Sequence, residues 1–170
     1  MNYKKCLYFV EGPCEKQLID ALNKQRPYKL APGKVIIQNP VHELISRNTI
    51  TSLSPGTQVV FVFDTNVEKT DILLKNIRHV KDYVSQVMIV HLAQVLNFED
   101  ELVRASDLKK AQELTRSASV SDFKTAFCKM KAAACRSALE RHHLDVGKLW
   151  ITTPPEKFSF IKQESGKVKL

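Results

Sequence analysis

The chain has 170 residues, 44% of them apolar, which suits a single domain with a core of ordinary size. A formal charge of +8 makes polyanions the natural partners, since a basic surface concentrates them by long-range attraction. No apolar run approaches the roughly 18 residues a membrane helix needs, and four cysteines without CxxC spacing argue against a disulfide scaffold or a thiolate metal site. The expected protein is soluble, cytoplasmic and not membrane-bound, with reduced and mostly buried thiols.

In chain order, Lys4 to Val10 reads as the opening strand, ending at Glu11-Gly12, and Pro13 opens a helix to about Lys24 with Leu18, Ile19 and Leu22 on one face. Pro27 to Gly33 is a turn region, Val35 to Ile37 a short buried strand, and Asn39-Pro40 the start of a helix to about Ser46. Ser54-Pro55-Gly56 breaks the chain before a strand from Gln58 to Phe63, which runs into Asp64-Thr65-Asn66. Lys69 to Val84 spaces Ile72, Leu73, Ile77, Val80 and Val84 for an amphipathic helix, and Gln86 to Leu92 reads as a fourth strand. Short apolar runs alternating with helices imply parallel strands joined by right-handed crossovers, a Rossmann-like α/β arrangement over residues 1–105.

Residues 106–170 read as a basic helical extension packed on that core as part of one compact domain. Asn97 caps a helix whose first turn holds Glu99, Asp100 and Glu101, where acids suit the helix dipole. A second helix is expected from Ser106 to about Leu114. A third is expected from Ser119 or Ser121 to about His142, burying Phe123, Phe127, Met130 and Ala134. Lys124, Lys129, Lys131 and Arg136 then form a basic outer surface suited to nucleic acid. Leu149 to Ile151 is expected as a short final strand before Pro154-Pro155, followed by a basic end that is a candidate for fraying.

Two strand ends, at Glu11 and Asp64, thus each present a carboxylate at the edge where an α/β sheet keeps its chemistry, with Glu15 four residues after the first. A helix dipole alone accounts for an acid such as Glu15 or Glu99 in a first turn, so it is the conjunction of strand-end acids that points to a divalent-metal site.

Phe9-Val10-Glu11-Gly12 with Glu15, and the later Phe61-Val62-Phe63-Asp64-Thr65-Asn66, resemble the two acidic motifs of the Toprim domain. That is the metal-dependent module of topoisomerases, bacterial primases, maturation ribonucleases and overcoming-lysogenization-defect (OLD) nucleases. Leu96-Asn97-Phe98-Glu99 is similar to the helix start after the fourth strand in OLD-like phage-defence proteins. The resemblance covers residues 4–103 and implies about four parallel strands flanked by helices, with Mg²⁺ or Mn²⁺ held by Glu11, Glu15, Asp64, Asn66 and Glu99. It implies Glu11 as general acid or base and a late basic residue, Lys148 or Lys157, to stabilise transition-state charge. The implied activity is metal-dependent phosphodiester cleavage of DNA or RNA, in phage defence, beside an ATPase partner and with self-association plausible. Asn66 stands where the family has a second aspartate and supplies a carbonyl oxygen without charge. The alternative is therefore a catalytically degenerate module that binds nucleic acid or protein.

Overall fold

In the computed structural model, residues 6–83 and 87–170 are described. Four strands form one all-parallel sheet in the order β2-β1-β3-β4, from β1 (Cys6–Val10), β2 (Gly33–Ile37), β3 (Gln58–Asp64) and β4 (Met88–Gln94). The helices are α1 (Pro13–Asn23), α2 (Arg47–Thr51), α3 (Asp71–Tyr83), α4 (Phe98–Arg104), α5 (Val120–Lys129) and α6 (Ala132–Arg141). The expected α/β class and parallel sheet are present. Lys4, the expected start of the first strand, and Val84 and Gln86, the expected end of the third long helix and start of the fourth strand, lie outside the described residues.

The sheet is covered on both faces, which is why its central strands are apolar throughout rather than alternating. Tyr8, Val10, Val60, Val62, Val90 and Leu92 point to one face, where they pack with Leu18 and Leu22 of α1, Phe98 of α4 and Phe123 of α5. Phe9, Phe61 and Phe63 point to the other, against Ile50 of α2, Leu73 and Val80 of α3, and Phe158. The helix after β1 and the helix after β3 therefore leave to opposite faces. A crevice opens between the carboxyl ends of those two neighbouring strands, the place where open α/β sheets bind ligands. At the opposite end of β1, Gly33 is needed for contact, because a Cβ there would lie 2.3 Å from the Cys6 carbonyl oxygen.

Several expectations are corrected. The helix expected over Asn39 to Ser46 is a set of turns: Asn39 Oδ1 accepts from the Val41 amide at 2.9 Å, and Asn76 of α3 donates to the carbonyls of Pro40 and Glu43. Ser46 instead caps α2. The helix expected over Ser106 to Leu114 shrinks to a 3-10 turn at Ala111–Leu114. The long third helix is two, because Met130 and Lys131 adopt extended backbone and Gln17 of α1 donates to the Met130 carbonyl at 2.7 Å. That break turns Ala134 outward.

The final strand is also absent among the described residues. Leu149 follows a 3-10 turn (Val146–Lys148), and the buried Trp150 takes a left-handed backbone, φ 53°, which no strand accommodates. The buried Glu101 holds that conformation by accepting from the Trp150 amide while its other oxygen pairs with Arg104. The basic end is packed rather than frayed: Val168 is buried, its carbonyl accepts from Ala31, and Leu170 donates to the Lys29 carbonyl. No helix among the described residues is long and apolar enough to cross a membrane.

Candidate functional site

Glu11 is the first residue past β1, and its Oε2 accepts the Asp64 backbone amide at 3.1 Å. This bond joins the carboxyl ends of two adjacent strands. Gly12 then caps α1 in extended conformation, Pro13 fills the first helical position, and Glu15 falls in the first turn, where it is buried. The backbone at Glu15 and Gly12 favours the ionised form of this carboxyl, against its burial. An ideal Cβ on Gly12 would stand 3.3 Å from Glu15 Oε2, so the glycine leaves room for this buried acid.

The next link is Thr65, buried just beyond Asp64. Its amide donates to the Gln94 carbonyl at the end of β4, and its Oγ1 accepts from the Leu96 amide at 3.0 Å. Leu96 turns the chain with φ 71°, and Asn97 caps α4 by accepting from the Asp100 amide at 2.9 Å. Glu99 is thereby aimed at the strand ends. Phe98 next to it packs on Phe127 at 5.6 Å between ring centres, and Phe127 packs on Phe123 at 5.4 Å. The same cluster brings Lys124, adjacent to Phe123, to Glu99, with Nζ 3.0 Å from Oε1.

Five residues from four separate stretches, Glu11 and Glu15, Asp64, Glu99, and Lys124, therefore act on one another. Burial pushes the Asp64 carboxyl up to about 8; Glu11, Glu15 and Glu99 add to the shift, and Lys124 opposes it. Burial also pushes Glu15 up to about 7, with Glu11 adding to it against the backbone and Lys124. Lys124 is itself held above its usual range, because Glu99, Cys14 and Asp64 outweigh its partial burial. Asp64 Oδ1 is buried with no hydrogen-bond partner. An acceptor that is buried and left unmatched is what an absent donor, proton or cation would satisfy.

The remaining expected residues divide by location. Asn66 is exposed and lines, with Glu11, Glu68, Asp71 and His42, a cleft of about 700 Å³ on the other side of Glu11. Lys157 reaches the edge of that cleft, where its Nζ donates to the Val67 carbonyl. Lys148 is exposed on the turn closed by Asp145, and neither lysine is among the charged groups that act on Asp64. Lys129 and Lys131 are exposed. Arg136 is buried, with Nη1 donating to the carbonyls of Gln25 and Pro27 at 2.6 and 2.8 Å and Nε paired with Glu140, so it anchors the turn after α1. His91 lies in mid-strand opposite Phe61, away from the strand ends.

Lys124 is exposed on the outer surface where periodicity places it, and its ammonium end also reaches back to Glu99, a contact that periodicity alone does not give. The signal was its position between Phe123 and Phe127, since a residue flanking two buried positions sits at the margin of the buried face. Among the described residues, no three acidic, histidine or cysteine side chains stand close enough to hold an ion as they are. The carboxylate oxygens of this site are compatible with a hydrated hard cation, which needs only one or two protein carboxylates. Compared with protein-family models and with curated proteins, the chain matches none.

Proposed function

We propose that the chain is a Toprim-like, Mg²⁺-dependent phosphodiesterase acting on DNA or RNA, with phage defence as the setting its resemblance implies. The observation that carries this reading is the unmatched Asp64 Oδ1 beside Glu11 and Glu15 at the carboxyl ends of β1 and β3. In this reading Glu11 and Asp64 hold the cation, Glu15 supports it from the first turn of α1, and Asn66 offers a carbonyl oxygen from the cleft side. Bound Mg²⁺ supplies charge neutralisation at the phosphoryl oxygens and a more acidic water. Glu11 moves the proton, as the one acid shared by the buried cluster and the open cleft. Lys157 at the cleft edge offers a cation to phosphate, and the exposed Lys129 and Lys131 extend the basic surface.

A second reading is a binding module whose acidic crevice is internally neutralised. It is favoured by the Lys124–Glu99 ion pair, which already sets a cation among the carboxylates. One experiment separates the two. The purified chain is incubated with single- and double-stranded DNA and RNA in Mg²⁺, Mn²⁺ or EDTA, alongside Glu11→Gln and Asp64→Asn. Metal-dependent cleavage lost in both variants supports the nuclease. Salt-sensitive binding that both variants retain, with no cleavage, supports the module.

A further inference from the structure

Cys14 is the second residue of α1, next to Glu15, and Cys128 lies one helical turn beyond Lys124 on α5. Their sulfurs stand 3.0 Å apart although 114 residues separate them in sequence, and both are free thiols. Cys14 is buried and Cys128 partly exposed, whereas Cys6, facing Gln58, and Cys135 are both buried. A disulfide needs its sulfurs at about 2.05 Å, so a contraction of about 1 Å between two side chains would close the bond.

We propose that Cys14 and Cys128 form a reversible disulfide when the protein meets hydrogen peroxide, a cross-link that ties the helix carrying Glu15 to the helix carrying Lys124. The Cys128 thiolate attacks one peroxide oxygen; the O–O bond breaks, the sulfur becomes a sulfenic acid, and the departing hydroxide takes the thiol proton as water. The Cys14 sulfur then attacks the Cys128 sulfur; the S–O bond breaks, and the hydroxyl leaves with the Cys14 proton as a second water. Two thiols and one peroxide give one disulfide and two waters, a balanced two-electron exchange. The order of attack follows exposure: Cys128 is partly exposed and meets the peroxide first, whereas Cys14 is buried and reaches only the neighbouring sulfur, 3.0 Å away.

The inference does not depend on nuclease activity, and its test uses no substrate. The intact chain is titrated with hydrogen peroxide, remaining thiols are alkylated, and peptides are mapped. The expected result is a Cys14–Cys128 cross-linked peptide, formed before Cys6 or Cys135 reacts, reversed by dithiothreitol, and absent from Cys128→Ser. The cross-link closes a long loop, so oxidised protein should melt about 5 °C above reduced protein, a comparison within wild type that stands even if a variant folds poorly. The inference is overturned if Cys128 accumulates as sulfinic acid while Cys14 remains alkylatable, or if the disulfide joins other cysteines or two chains.

Discussion

The Asp64 backbone amide donates to Glu11 Oε2 at 3.1 Å, so an acid from the first strand end is seated on the backbone of the second, 53 residues later in sequence. This bond fixes Glu11 without using the Asp64 side chain, whose Oδ1 remains buried and unmatched.

Asp64→Asn removes a carboxyl that burial and three other acids disfavour as an anion. Without metal at about pH 8 the variant should be more stable than wild type by roughly 1–2 kcal/mol, and cleavage should fall by at least about a hundredfold. Thermal melts in EDTA and in Mg²⁺ provide the check: Mg²⁺ should raise the wild-type midpoint and leave the variant's unchanged. An equal Mg²⁺ shift in both would remove Asp64 from the site.

The folded-state values of about 7 for Glu15 and about 8 for Asp64 lie above those of an unfolded chain, so the native protein retains protons that the unfolded chain has released. Their stabilising contribution is complete below the unfolded values and is lost as pH rises through the folded ones. Metal-free stability, measured by urea unfolding between about pH 7 and 8, should therefore decline more steeply in wild type than in a Glu15→Gln/Asp64→Asn double variant. Taking that difference cancels the opposing contribution of His91, whose ring burial holds down to about 4, and the contribution of the buried thiols, which runs the same way as that of the two acids. Parallel slopes in the two proteins would contradict the assigned shifts.

Gly12→Ala tests the room left for Glu15. Its extended backbone suits any residue, so global stability should drop by no more than about 1 kcal/mol. The added Cβ, 3.3 Å from Glu15 Oε2, should still displace that carboxylate. A metal-induced shift in melting temperature much smaller than in wild type is the expected outcome.

Lys124→Ala distinguishes an internal counter-ion from a phosphate contact. Removing the cation 3.0 Å from Glu99 leaves the acids less compensated, so metal-free protein should lose stability at about pH 8 while Mn²⁺ binds more tightly by calorimetry. If Lys124 contacted only phosphate, Mn²⁺ affinity would not change.

Arg136→Ala and the pair Lys129→Ala/Lys131→Ala should separate structure from binding. The first strands the carbonyls of Gln25 and Pro27 and should destabilise the fold by about 2–4 kcal/mol with little effect on nucleic-acid affinity per folded molecule. The second should leave the melting temperature in place, weaken binding across sequences and lower the salt slope by about 2.

What the sequence disclosed was local chemistry. Pro13 after a strand, Asn97 before Phe98-Glu99, and the unbroken apolar run of β3 each carry their own structural instruction, and all three elements are present. What it withheld was set by distant partners. Nothing near Met130 signals a break; the amide that captures its carbonyl belongs to Gln17, 113 residues earlier. Leu149-Trp150-Ile151 has strand composition, but Glu101 across the core bends it into a left-handed turn. The strand-end acids could be named from sequence, whereas the approach of Lys124 and the pairing of Cys14 with Cys128 depend on how α5 packs.

Trp150 is the chain's single tryptophan, and its ring is buried beside α4 with the indole Nε1 unpaired. Its emission in the folded protein should lie at short wavelength and move to the red when water enters. Glu101, which holds its backbone, is two residues from Glu99, so an optical signal native to the chain follows the seating of α4 and requires no label.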